Sequence, residues 1–136
     1  MRPMSGNSAE DKDMIYGIGI DMVKIDRMKR AVERWGDRFL RRVFTDNEIA
    51  YSYEKAEPYL SLSVRFAAKE AFIKAIGSEV TASLTDIEVV NTGTGRPLIE
   101  VRGALAKFFE EKAIRCAHLS LSHEREYGVA CVVVET

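Results

Sequence analysis

Residues 65–76, Arg65-Phe66-Ala67-Ala68-Lys69-Glu70-Ala71-Phe72-Ile73-Lys74-Ala75-Ile76, constrain the fold more than any other stretch of this chain. At 100° per residue, Ala67, Ala68, Ala71, Phe72, Ala75 and Ile76 form one apolar side, while Phe66, Lys69, Glu70, Ile73 and Lys74 fan out over the other. A solvated face rarely carries a phenylalanine and an isoleucine among its charges. The helix is therefore expected to pack on both sides and to leave Glu70 and its lysines partly enclosed. The same triplet also reads as an i,i+4 Glu70–Lys74 pair on a surface helix, worth about 0.2–0.5 kcal/mol.

Residues 15–23, Ile15-Tyr16-Gly17-Ile18-Gly19-Ile20-Asp21-Met22-Val23, read as a strand that delivers an acid at its end. Glycines weaken a strand and occur where another backbone or a ligand comes close. Asp21 has the alternative of capping the following helix, a role for which Asp26 competes. Two carboxylates from separate elements, with lysines beside one of them, offer what a magnesium ion bridging to phosphate requires. These are a few hard oxygen ligands and cations for the remaining phosphate charge.

The rest of the chain alternates helical and strand patterns. Ile25, Met28, Val32 and Trp35 have helical spacing, with Gly36 suited to end the helix and Asp37 opening a further short turn. Lys24 to Arg42 carries eight basic residues against three acidic ones, although the whole chain has net charge −1. Such a local basic helix is too small for strong non-specific DNA affinity; it suits a small acidic partner, or is a solvated face with none. Thr45-Asp46-Asn47-Glu48 has the form of a capping box, which starts a helix near Asp46, assigns Glu48 a structural role and ends before Pro58. Asp86 to Asn91 and Pro97 to Val101 read as strands joined by the turn Thr92-Gly93-Thr94-Gly95, and Gly103 to Ala113 as a helix. His118 to Ser122 alternates, and Tyr127 to Val134 is nearly continuous in apolar residues, as for a strand buried on both faces by helices, by another sheet or by neighbouring subunits.

With 136 residues, 46% of them hydrophobic, the chain suffices for one compact core and not for two ordinary domains. No apolar run approaches the roughly 20 residues of a membrane span, and the first residues lack a signal-peptide core, so the expected compartment is the cytoplasm. Cys116 and Cys131 fall in apolar segments and read as core, their spacing suggesting neither a disulfide scaffold nor a zinc site. Residues 1–13 mix Pro, Ser, Gly, Asn and charges without periodicity and are expected to be a disordered extension, leaving 14–136 as a single domain.

Three motifs, Gly17-Ile18-Gly19-Ile20-Asp21, the stretch Arg65 to Ala75, and Leu119-Ser120-Leu121-Ser122-His123, occur in an order and at a spacing that resemble the holo-acyl-carrier-protein synthase family. These are the small phosphopantetheinyl transferases of bacterial fatty acid synthesis, and the resemblance spans roughly residues 14–135. It implies an α+β fold of mostly antiparallel sheet with packed helices, assembled as a homotrimer with a coenzyme A cleft at each subunit boundary. The implied reaction transfers 4′-phosphopantetheine from coenzyme A to a serine of apo-acyl carrier protein, with 3′,5′-ADP as leaving group. By resemblance Asp21 and Glu70 hold Mg²⁺, and Lys74 adds positive charge at the transition state. Arg65, Lys69, Gly95, Arg96, Pro97 and His123 bind the nucleotide and its phosphates, Lys69 having the alternative of pairing with a neighbouring carboxylate. Arg27, Arg30 and Arg34 on the first helix receive the carrier protein, Arg27 matching the family's docking arginine most clearly.

The nucleophile belongs to the partner, so Ser120 and Ser122 are not expected to be catalytic. Three features depart from the family's pattern: Arg96 where many relatives have lysine, Ala56-Glu57 where many carry a basic residue, and the segment before Met14, near which relatives usually begin. Two other readings use the same residues. A metal-dependent nucleotide pyrophosphate hydrolase needs both carboxylates and no basic helix; a non-catalytic adapter for an acidic protein needs the helix and neither carboxylate.

Overall fold

The computed structural model describes residues 14–136; the segment 1–13, expected to be disordered, lies outside the described residues. Strand β1 (Ile15–Lys24) is followed by helices α1 (Ile25–Val43), α2 (Asp46–Tyr53) and α3 (Pro58–Ile76). A 3-10 turn (Leu84–Asp86) leads into the hairpin β2 (Ile87–Asn91) and β3 (Pro97–Val101), then helix α4 (Ala104–Glu111) and the closing strands β4 (Cys116–His123) and β5 (Tyr127–Glu135). All pairings are antiparallel, in a three-stranded sheet of order β1-β5-β4 and the two-stranded β2-β3. The expected α+β class is the observed one.

Helix α3 organises the molecule. Its Ala67, Ala68, Ala71, Phe72, Ala75 and Ile76 enter the main core with Ala130, Val132 and Val134 of β5. Its N-terminal half contributes Leu62 to a second cluster with Met28, Val32, Leu40, Val43 and Phe44. The helix is thus covered on two sides, as its mixed second face requires.

The glycines of β1 set how closely strand and helix approach. A Cβ added at Gly17 would stand 1.8 Å from the Ala75 carbonyl oxygen, and one at Gly19 1.8 Å from that of Ala71. Two strand residues span about 6.6 Å and one helical turn plus a fraction about 6 Å, so Gly17 and Gly19 match Ala75 and Ala71 step for step. The close partner is backbone. The next residue on that face of β1 is Asp21, which the Lys74 side chain of α3 reaches.

Helix α1 carries a break at Gly36 (φ 60°, ψ −144°), where the expected helix end occurs and a second helical segment begins. Its N-cap is Lys24, with no side-chain cap, so the capping alternative for Asp21 is not realised. The capping box of α2 forms in full: Glu48 N donates to Thr45 Oγ1 at 3.2 Å and Thr45 N to Glu48 Oε1 at 2.9 Å.

Strand β5 buries Gly128, Ala130, Val132 and Val134 on the face that α3 covers, and leaves Val129, Cys131 and Val133 half-exposed on the other, which α3 does not reach. Two expectations are corrected. Cys116 and Cys131 are accordingly both half-buried and not core. Trp35 is exposed, its indole stacked under Arg34 with the guanidinium carbon 4.9 Å from the ring centre, so the buried stripe of α1 before the break at Gly36 ends at Val32.

Candidate active site

Helix α3 and strand β1 build the first half of the site. Lys74 Nζ stands 2.9 Å from Asp21 Oδ1 and donates to the Ile20 carbonyl at 3.1 Å. Glu70, one turn earlier, lines the same cleft as Asp21 and Arg27. Burial pushes the Glu70 carboxyl above its usual range and the neighbouring charge of Asp21 pushes it further, with Lys74 opposing. Two carboxylates lining one cleft, with Glu70 made costly to ionise by burial and by the charge of Asp21, fit a hard divalent cation such as Mg²⁺, which would relieve that cost.

The second half lies on the other edge of the same sheet. Asp21 of β1 pairs with Ala130 of β5, which pairs with Leu121 of β4, so one strand separates the two edges, about 9.6 Å in all. There, Arg65, Gly95, Arg96, Pro97 and His123 line one cleft together with Tyr51 and Asn91. Arg96 and Gly95 come from the β2–β3 turn, held by Thr92 N to Arg96 O (3.1 Å) and Gly95 N to Thr92 O (2.9 Å). His123 ends β4 and is exposed.

Arg65 is almost wholly buried. It donates through Nη1 to Ser61 Oγ at 3.0 Å and through Nη2 to Asn91 Oδ1, and its guanidinium carbon lies 4.2 Å from the Tyr51 ring centre. Its Nε is buried without a hydrogen-bond partner, and burial lowers its pKa. Tyr51, Ser61 and Asn91 were not singled out from the sequence; they come from three elements and carry no common spacing.

Lys69 is corrected. It is fully buried one turn along α3 from Arg65, 2.6 Å from Glu48 Oε1, and donates to the carbonyls of Val43 (2.8 Å) and Leu84 (2.9 Å). All three ammonium donors are used inside the protein. Burial lowers its pKa, opposed by Glu48, and no part of it reaches a phosphate site. Glu48 is a structural acid, accepting also from Val89 N at 2.7 Å.

On α1, Arg27, Arg30 and Arg34 are exposed. Arg30 pairs with Asp26 at 3.0 Å, whereas Arg27 faces the Asp21–Glu70 cleft. Ala56 and Glu57 line a different cleft, beside Lys24, Lys29 and Arg125, so the acidic departure lies outside the Arg65–Arg96–His123 cleft.

The chain is similar to known proteins. The family model of the 4′-phosphopantetheinyl transferase superfamily matches residues 17–132. The holo-[acyl-carrier-protein] synthase of Chlamydia muridarum is 45% identical over 122 residues, covering 89% of this chain and 95% of the relative. The crystal structure of holo-[acyl-carrier-protein] synthase from Neisseria meningitidis superposes with TM-score 0.84 at 37% identity, covering 90% of this chain and all of that one. The Helicobacter pylori synthase, solved in complex with coenzyme A, gives TM-score 0.75 at 32% identity over 86% of this chain and 98% of that one. The chain therefore belongs to the 4′-phosphopantetheinyl transferase superfamily and, within it, to the holo-[acyl-carrier-protein] synthase family.

Proposed function

We propose that the protein transfers the 4′-phosphopantetheine group of coenzyme A to a serine of apo-acyl carrier protein, giving holo-acyl carrier protein and 3′,5′-ADP, in fatty acid biosynthesis. The observation that carries this reading is the cleft lined by Asp21 and Glu70, with Lys74 paired to Asp21, on a chain of this family. The serine hydroxyl of the partner forms the new phosphorus–oxygen bond, its proton is lost, and the bond from phosphorus to the 3′,5′-ADP oxygen breaks. Asp21 and Glu70 would hold Mg²⁺, which when bound makes the attacked phosphorus more electrophilic and neutralises charge on the leaving group. Lys74 adds an ammonium beside that position. Arg65, Arg96 and His123, with Gly95 and Pro97 shaping the turn, orient the nucleotide and its phosphates.

The two half-sites lie on opposite edges of one sheet, and the sheet face between them exposes Ile18, Ile20 and Met22 to 60%, 61% and 61%. An open apolar face of this kind supports a homotrimer in which one subunit's carboxylate cleft meets a neighbour's phosphate cleft. The exposed arginines of α1, led by Arg27, offer the acidic carrier protein its docking surface. No described helix is long and apolar enough to cross a membrane. The cytoplasm, where both substrates are made, is the compartment this reaction calls for. Incubation with apo-carrier protein, coenzyme A and Mg²⁺, read by the mass of the carrier, tests the reading. A gain of one phosphopantetheine per carrier supports it; coenzyme A breakdown without modified carrier shows a hydrolase, and no turnover shows an adapter.

A further inference from the structure

At the far end of the sheet from the Asp21–Glu70 cleft, three side chains of different chemistry converge. Cys116 and His118 are two residues apart on β4 and so share a face, and Glu135 of β5 is the register partner of Cys116. Cys116 Sγ lies 3.2 Å from His118 Nε2 and 3.7 Å from Glu135 Oε1, and His118 Nε2 lies 3.1 Å from the same oxygen. These atoms form the one group of at least three such ligand atoms gathered tightly enough to hold a metal ion among the described residues.

The geometry points to a second metal site here, for a borderline-soft divalent cation of the zinc class, bound by Cys116, His118 and Glu135. Bond lengths of about 2.3 Å to sulfur and 2.0–2.2 Å to nitrogen and oxygen place donors of a tetrahedral site about 3.3–3.6 Å apart. The three observed separations agree with that to within about 0.4 Å. Adjustment of side-chain torsions suffices, because the backbone positions are fixed by the β4–β5 ladder.

A thiolate and an imidazole select zinc-like ions over magnesium, so this site and the hard-oxygen cleft would not compete for the same metal. A dication with one thiolate and one carboxylate is neutral overall. The Arg115 guanidinium, 3.3 Å from Glu135 Oε1, is therefore not repelled and holds the carboxylate in place, as an outer partner of a metal ligand does. The ion would tie the start of β4 to the end of β5. The inference is independent of the transferase reaction.

The test uses the full chain without an affinity tag, held in excess Mg²⁺ to occupy the hard carboxylates and titrated with Co²⁺. The readout is the thiolate-to-cobalt charge-transfer band in the near ultraviolet, followed by displacement with Zn²⁺. One saturable equivalent is expected in the wild type and in Cys131→Ser, with the band lost in Cys116→Ser. Affinity should fall at least about 100-fold in His118→Ala, since loss of an outer partner alone costs about 10- to 100-fold. A wild type without the band, a band that follows Cys131 instead, or a His118→Ala variant that binds as tightly as wild type overturns the site. His118→Ala, a truncation outside the main core, decides the matter should Cys116→Ser fail to fold.

Discussion

Lys69 and Glu70 are neighbours in sequence and opposite in charge, and the 100° step between them sends one into the interior and the other to a cleft. Lys69 meets a carboxylate and two carbonyls, joining α3 to α2, to the end of α1 and to the 3-10 turn. Glu70 meets the like charge of Asp21, and its proton is held more tightly for that reason and because of burial. A charged group that finds all its partners inside the protein is part of the framework. One that is desolvated beside its own kind is waiting for a ligand, and residue type alone does not distinguish them.

The sharpest break of this comparison is Lys69→Met, which leaves Glu48 buried without its cation. Stability should fall by about 3–5 kcal/mol, measured by urea unfolding, while the double variant with Glu48→Gln recovers part of the loss because no buried charge stays uncompensated. A single variant within about 1 kcal/mol of wild type would mean that Lys69 is not the structural member of the two. On the other side, Glu70→Ala and Asp21→Ala should leave the urea midpoint near or above that of wild type. Turnover at saturating Mg²⁺ should drop at least about 100-fold, equivalent to about 2.7 kcal/mol of transition-state stabilisation. Near-normal turnover in either would remove the carboxylate from the reaction.

How far this division was legible in the sequence follows from the kind of information each residue needs. The helix at 65–76, its two packed sides, the capping box and the close approach at Gly17 and Gly19 are local patterns, and each has its counterpart in the structure. The separation of Lys69 from Glu70 is not local: it depends on Glu48, twenty-one residues earlier, and on the carbonyls of Val43 and Leu84. The apolar run of β5 calls for cover on both faces, and composition does not say which of the two a helix of the same chain supplies. Cys116 and His118 stand at a strand's own period, but their partner Glu135 is supplied by register, which the sequence does not display. That Asp21 comes close to Glu70 and Lys74 was legible because β1 and α3 are both strongly patterned and meet through small residues.

A third kind of charge extends the comparison, since Arg27 is neither enclosed by partners nor pressed against like charge. Arg27→Glu should raise the apparent KM for the carrier protein about tenfold, or about 1.4 kcal/mol, and flatten its salt dependence, with affinity for coenzyme A unchanged. Calorimetry with coenzyme A and steady-state kinetics with carrier separate the two. Lost coenzyme A binding would assign Arg27 to the nucleotide cleft and leave the docking surface without its leading residue.

The smallest expected effect concerns the acid that neighbours the Lys69–Glu48 pair. Glu88 is buried, accepts from Thr45 Oγ1 and pairs with Arg102. Desolvation by itself would raise its pKa, but the hydrogen bonds from Thr45 and Arg102 and the charge of Arg102 outweigh it, and the carboxyl is held below its usual range. A folded-state pKa below the unfolded value of about 4.3 means that the unfolded chain binds the proton first as pH falls. The stabilisation is therefore complete above about pH 5 and is lost as pH drops through 4.3 towards the lower folded value. Its slope is at most about 1.4 kcal/mol per pH unit, the limit for one proton. Urea unfolding between about pH 3 and pH 6 should show a steeper acid loss in wild type than in Glu88→Gln. Glu88 shares Thr45 and the β2 strand with the Glu48–Lys69 pair, so equal slopes would show that this buried network is held by Glu48 and Lys69 alone.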